Sequence, residues 1–334
     1  MNVLDLIFGS FNETEVYKKD CDLEKQVEEL KSIRNEHNKY KVDKDIRLLE
    51  LGIKGEEDIL YELSNANLGL YVLRDVRIEI DDSVAQIDYV VISKKYTYLI
   101  ECKNLIGNIK VDNTGQFQRE YEYNNKKIRE SIFSPYVQAT RHKDVLEKVW
   151  KSRHNKFDVF YFKKHFDRLY KPLVVLANSK AILDISKAPK DIRNNIIRLD
   201  QLVNYIKKDL NTTDSMPVLT KKEMESHAKN WMEINSDKYH SIAKRYIDEV
   251  DDLKNKLLEF RKDKSSKRNI REDYVFSDRE LIEILNKHPK TKEELGEILS
   301  EVKVKFHGEE ILDILNKNDY NWNEEIKKIS SLFN

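Results

Sequence analysis

The sequence predicts an α/β domain with a mixed central sheet flanked by helices, followed by a small all-α bundle. Three observations carry that prediction. From about residue 48 to 210, helix-period and strand-period segments alternate as helix, strands, helix, strand, strand, helix. At the centre, two apolar β-type runs, Ile87 to Ile92 and Tyr96 to Ile100, are joined by the short polar Ser93-Lys94-Lys95. From Val275 to Asn334 the apolar residues recur at helical spacing, as in Leu281, Ile284 and Leu285.

A chain of 334 residues has room for about two domains with separate cores. Its 60 basic and 60 acidic residues cancel, so only their local distribution can point to partners. Two cysteines, Cys21 and Cys102, make neither a disulfide framework nor a zinc site, and fit a cytoplasmic, reducing compartment. No run approaches a membrane span, and Met1 to Phe8 is too short and carries Asp5, unlike a signal peptide.

Residues 1–47 are expected to form an N-terminal helical extension. Leu23, Val27, Leu30 and Ile33 mark an exposed or partner-binding helix. Gly52 and Gly55 then interrupt, and Glu56 and Glu57 open a helix whose apolar positions are Ile59, Leu60 and Leu63. Acidic residues in a first turn suit the helix dipole, and one of the two remains available for a metal. Strands follow at Tyr71 to Ile80, in the central hairpin, and at Asn108 to Val111 after Gly107, with a further hairpin turning near Asn124-Asn125.

Ser134 and Pro135 read as the N-cap and first position of a helix that places Gln138, Arg141 and His142 on or beside one face. Between Arg141 and Lys171, ten basic residues face four acidic ones, with Phe157, Phe160, Tyr161, Phe162, Phe166 and Tyr170 interleaved. That mixture suits a nucleic-acid surface, and the aromatics suit a core equally. Lys171 to Ala177 and Ile196 to Leu199 read as strands, and Asp200 as the cap of a helix through Leu210. Residues 211–273 read as a charged helical linker ending in the basic RKDKSSKRNIRE, and 274–334 as the bundle, with Ser277, Thr291 and Asn321 as caps.

The central hairpin carries carboxylates where buried strands should be apolar. An even number of loop residues sets Ser93 opposite Tyr96, Asp88 opposite Glu101 and Gln86 opposite Lys103. One face then holds Gln86, Asp88, Val90, Ile92, Thr97, Leu99, Glu101 and Lys103. The other holds Ile87, Tyr89, Val91, Tyr98, Ile100 and Cys102, so both faces should be covered. Two carboxylates on neighbouring covered strands repel unless a cation lies between them, and carboxylate, backbone oxygen and water are magnesium ligands. On spacing alone, Glu101 and Lys103 also fit a simple ion pair at a strand end.

Taken in order, Gly55-Glu56, Gln86-Ile87-Asp88, Glu101-Cys102-Lys103-Asn104 with Gly107, and Pro135 with Gln138 and His142 resemble the nuclease-related domain, NERD, a branch of the PD-(D/E)XK nuclease superfamily. The resemblance covers about residues 48–210 and implies a restriction-endonuclease-like core. Residues from Ser277 through FHGEEILDIL resemble an HRDC domain, with Ser300 to Lys303 in place of its glycine-rich hairpin. From Val275 on there are nine basic and thirteen acidic residues, and this excess of acid, with the missing hairpin, weakens DNA binding as the tail's role and leaves protein docking open.

The resemblance implies that Asp88, Glu101 and the Cys102 backbone carbonyl hold Mg²⁺, for which Mn²⁺ can substitute, and that Lys103 orients or deprotonates the attacking water. Glu56 would be a further ligand or act through water, with Glu57 as fallback, and Gln138 would brace the site. Arg141, His142, Lys148, Lys151 and Arg153 would contact nucleic acid. The function implied is a Mg²⁺-dependent DNA endonuclease or nickase, with RNA as the other substrate class, in defence against or maintenance of mobile DNA. Partner proteins would dock on the acidic tail or the N-terminal helix. The rivals are a catalytically inactive nucleic-acid-binding protein and a protein-interaction scaffold.

Overall fold

A computed structural model of the chain describes residues 11–34, 38–123 and 126–317. They form two compact units, one drawn from 11–23 and 50–239, the other from 24–49 and 240–317. No described helix is long and apolar enough to cross a membrane. The expected turn at Asn124-Asn125 and the expected cap Asn321 lie outside the described residues.

The first unit is built on a six-stranded sheet of β1 (Thr14–Lys18), β2 (Leu70–Ile80), β3 (Ser83–Ser93), β4 (Thr97–Lys103), β8 (Tyr170–Leu176) and β10 (Ile196–Arg198), in that spatial order. β2, β3 and β4 are mutually antiparallel neighbours, whereas β1 joins β2, β8 joins β4 and β10 joins β8 in parallel, so the sheet is mixed as predicted. A smaller sheet contains β5 (Asn108–Val111), β6 (Phe117–Tyr123), β7 (Lys126–Ile132) and β9 (Leu183–Asp184). Gly107, at φ +99°, makes the turn between the sheets, where a Cβ would run into the Glu120 carbonyl.

In chain order the helices are α1 (Asp22–Ile33), α2 (Lys39–Ser64), α3 (Pro135–Ser152), α4 (Lys156–Leu169), α5 (Lys190–Asn194), α6 (Leu202–Leu210) and α7 (Lys221–Ile234). On one face of the main sheet, Ile59 and Leu63 of α2 and Leu202 and Ile206 of α6 pack on Val72, Tyr89, Val91, Tyr98, Ile100 and Val175. On the other, Val145 and Leu146 of α3, Phe166 of α4 and Trp231 of α7 pack on Leu73, Val90, Ile92 and Leu99. Burial of apolar side chains on both faces is the main stabilising term, and it explains why the hairpin strands read as almost unbroken apolar runs.

Four expectations are corrected. α2 does not start at Glu56 but runs straight through Gly52 and Gly55, because tertiary packing outweighs the weak helix propensity of glycine. A Cβ at Gly55 would sit 2.8 Å from Asn104 Cβ and 3.1 Å from Cys102 Sγ, so this glycine lets the helix lie close against the end of β4. Residues 211–239 are not linker, since α7 buries Met224, Ala228 and Trp231 in the core of the first unit. The N-terminal segment is no independent extension either: β1 joins the sheet edge, and Val27 and Leu30 of α1 are buried. Asp200 lies in a single 3₁₀ turn, Leu199–Gln201, ahead of α6, rather than at its cap.

In the second unit, α8 (Ala243–Arg268), α9 (Asp278–Lys287), α10 (Lys292–Gly296) and α11 (Glu301–Lys317) close on Leu257, Phe276, Ile284, Leu295, Ile311 and Leu315. Ser277 forms a capping box with Glu280, and the Thr291 hydroxyl accepts from the Glu294 N–H. The basic run at 261–268 is the last part of α8: Arg261 and Ser265 are buried, and Arg261 pairs with Asp278 and Glu272. Asp45 in α2 is held by Arg245 and by the Tyr246 hydroxyl at 2.7 Å.

Candidate active site

The β3–β4 ladder pairs Ile92 with Thr97, Val91 with Tyr98, Val90 with Leu99 and Tyr89 with Ile100. This is the register expected from an even loop, and one further step sets Asp88 across from Glu101. Ladder pairing stops before that step. Instead the Asp88 Oδ2 accepts from the Cys102 backbone N–H at 2.6 Å, so the carboxylate closes the end of the hairpin.

The expected faces hold only up to this point. On β3, Val90 and Ile92 share a cluster with Ala85 and Ile87, and on β2, Tyr71 and Leu73 share it with Val76 and Ile78, so the alternation reverses on both strands. The reversal falls where the ladder steps from Arg74–Tyr89 to Val76–Ile87, at Asp75 and Asp88. Asp75 has φ +55°, a left-handed conformation that rotates the following residues to the other face. Ile87 therefore leaves the face of Tyr89 and Val91. Gln86 does not meet Lys103: its amide donates to Asp75 and accepts from Arg77 Nη1.

On β4, Glu101 and Lys103 are both buried, with Lys103 Nζ 3.0 Å from Glu101 Oε1. Glu101 Oε2 is buried without a hydrogen-bond partner, and His142 Nδ1 of α3 stands 3.6 Å away. Cys102 packs on the α2 side, as alternation requires. Burial, followed by the Glu101 and Glu56 charges, holds the Asp88 carboxyl well above the usual range. Burial alone would lower the Lys103 ammonium, but Glu101 and Asp88 outweigh it and hold it above an ordinary lysine. Burial lowers His142, with Glu101 opposing, so this imidazole is neutral at pH 7.

Glu56 lies in the electrostatic reach of Asp88, but its Oε2 accepts from Arg74 Nε at 2.9 Å and from the Cys21 thiol at 3.4 Å. Burial pushes its carboxyl up to about 7 against the attraction of Arg74. Glu57, the next residue of the helix, is exposed. Gln138 sits in the first turn of α3, which Ser134 caps by accepting from the Val137 N–H, and its amide oxygen is buried without a partner.

Of the residues assigned to nucleic acid, His142 is buried beside Glu101. Arg141 lies over the Phe133 ring, Lys148 donates to Ser83, Lys151 pairs with Glu147 and Arg153 is exposed. Sequence reasoning missed Arg74 as the partner of Glu56. An arginine inside the apolar run YVLRDVRI was the available signal, because a charge in a covered strand needs a counter-charge.

Residues 51–177 match the family model of the nuclease-related domain, NERD. The chain carries a nuclease-related domain. The matched segment runs from the second half of α2 to the end of β8, and so holds Glu56, Asp88, Glu101, Lys103, Gln138 and His142 together. The HRDC domain model matches residues 250–315, which brings in α8 ahead of the expected start at 274, in keeping with Leu253 and Leu257 in that core. Searches of curated proteins and of solved structures found no match.

Proposed function

We propose that the NERD unit is a Mg²⁺-dependent DNA endonuclease or nickase. The observation that carries this reading is the Asp88 carboxylate held on the Cys102 N–H within electrostatic reach of Glu101, with Lys103 on the Glu101 side chain, inside the matched segment. Among the described residues no three His, Cys, Asp or Glu side chains gather as a metal cluster. The donor set is therefore two carboxylates with backbone oxygen and water, which suits Mg²⁺ or Mn²⁺ and not zinc. The unpartnered Glu101 Oε2 and the unfavourable ionisation of Asp88 both fit a cation at this place.

Asp88, Glu101 and the Cys102 carbonyl would hold the ion. When bound, it supplies a polarised phosphoryl oxygen and a water of lowered pKa. Lys103 is held protonated by its two carboxylate neighbours, so it enters as a donor that orients water or phosphate. It gives up that proton only where the charge of Asp88 and Glu101 is neutralised. Gln138 offers its amide oxygen to the attacking water, and Glu56, tied to Arg74, acts through water and not as a direct ligand. A role in defence against or maintenance of mobile DNA belongs to the same proposal.

The test is conversion of supercoiled plasmid to nicked circles with Mg²⁺ by wild type, Asp88→Ala and Lys103→Ala. Wild-type nicking that both variants abolish supports the reading. Equal traces from all three proteins would sink it and leave a nucleic-acid binder with an inactive nuclease fold.

A further inference from the structure

Helix α4 displays rings that a core would normally hide. Phe157, Phe160 and Tyr161 are 69%, 82% and 67% exposed, and their three- and four-residue spacing sets them in one stripe. The rings of Phe157 and Tyr161 lie 5.0 Å apart. On the adjoining stripe Asp158, Phe162, His165 and Phe166 meet Trp150 in the last turn of α3 and His154 just beyond it around a cavity of about 340 Å³. The Trp150 ring packs 5.1 Å from both His154 and Phe166, so a cluster of ring faces and edges lines the cavity, which we call the slot.

The chemistry of the surroundings selects the occupant. Flat aromatic walls accept a planar heterocycle by stacking, whatever its sequence identity. His154 uses Nδ1 on the Trp150 carbonyl and Asp158 uses Oδ2 on the Asn155 amide, which leaves a ring nitrogen and a carboxylate oxygen at the slot for a base edge. Arg153, Lys156 and Lys164 nearby are exposed and have no ion-pair partner among the described residues, unlike Lys151 and Lys163, which Glu147 and Asp167 neutralise. Unpaired cations beside exposed rings match the phosphates and bases of one strand. A lipid surface would use the outer rings but not a recessed slot containing Asp158.

We propose that this α3–α4 face binds an unpaired stretch of nucleic acid, with one base in the slot and its neighbours stacked on Phe157, Phe160 and Tyr161. The inference rests on the nuclease reading and deepens it: the substrate would carry a single-stranded segment. Trp150 lies eight residues beyond His142 on the same helix, about 12 Å along its axis, a distance of a few nucleotides.

The experiment uses the full chain with Asp88→Ala, so that no cleavage enters the readout, and an oligothymidylate carrying 4-thiothymidine. Crosslinks should map to Trp150–Phe166. Phe160→Ala and Phe162→Leu, both at exposed rings, should each weaken binding at least about fivefold. Arg153→Gln with Lys156→Gln should flatten the salt dependence of binding. Crosslinks confined to other segments, unchanged oligonucleotide affinity of the ring variants, or ring variants that lose only their binding to phosphatidylserine vesicles would each overturn the proposal. Crosslinks at these residues in a chain whose wild type never nicks would overturn the nuclease reading alone.

Discussion

Arg74 is the most informative perturbation outside the carboxylate pair. It sits in the middle of β2, and its side chain and that of Glu56 are only 4% and 7% exposed across a 2.9 Å contact. Replacing Arg74 by Met keeps apolar volume but leaves Glu56 buried without its cation. Removing one member of a buried pair costs about 3–5 kcal/mol, a large part of the roughly 5–15 kcal/mol that holds a typical domain. The loss should depend on pH. Glu56 titrates near 7 in the folded protein against 4.5 for an unperturbed glutamate, so the folded state binds the extra proton and stability declines as pH rises through that interval. Without Arg74 the carboxyl rises further, so the variant should be penalised most near pH 8 and least near pH 5. Urea unfolding followed by Trp150 and Trp231 fluorescence, in a Trp322→Phe background, measures this. With a slope of about 2 kcal/mol/M, the midpoint should drop by roughly 1.5–2.5 M at pH 8. Adding Glu56→Gln should restore most of it. A loss below about 1 kcal/mol at pH 8, or equal losses at both pH values, would refute the assignment of Glu56 to Arg74.

Asp88→Asn retains an acceptor for the Cys102 N–H and removes repulsion from Glu101, so thermal unfolding should show an unchanged or slightly raised Tm while plasmid nicking disappears. Gly55→Ala gains about 1 kcal/mol of helix propensity but meets Asn104 and Cys102, and overpacking costs about 1–3 kcal/mol; a net loss of stability and slower nicking are expected. Gly52→Ala, whose nearest neighbour would be Leu23 at 3.4 Å, should be neutral or stabilising in the same assays. His227, half-buried with its Nε2 beside the Tyr170 hydroxyl, is lowered to about 4 by desolvation. The unfolded chain therefore binds the extra proton between pH 6.5 and 4, and wild type should lose up to about 3 kcal/mol over that range relative to His227→Gln in denaturant titrations.

Much of the site was legible because it depends on short-range geometry. Loop parity set the register from Ile92–Thr97 to Tyr89–Ile100, and alternation on β4 separated Glu101 and Lys103 from Cys102. The cap at Ser134 and the spacing from Gln138 to His142 placed helix α3. The burial of His142 beside Glu101 was not legible, because helical spacing gives faces without saying what each one meets. The Arg74 partner of Glu56 was not legible because it lies on a strand 18 residues away.

By itself, the sequence determined the mixed α/β class, the hairpin register and the helical second unit, all of which follow from periodicity and local backbone chemistry. Only the tertiary structure decided the rest. Asp75 and Asp88 reverse the strand faces together, which needs a left-handed residue on one strand aligned with the end of pairing on the next. Gly55 serves close packing and not helix termination, because Asn104 and Cys102 approach it from β4. The Lys103 proton is held by the balance of burial against two carboxylates, a quantity that exists only once the chain has brought them together.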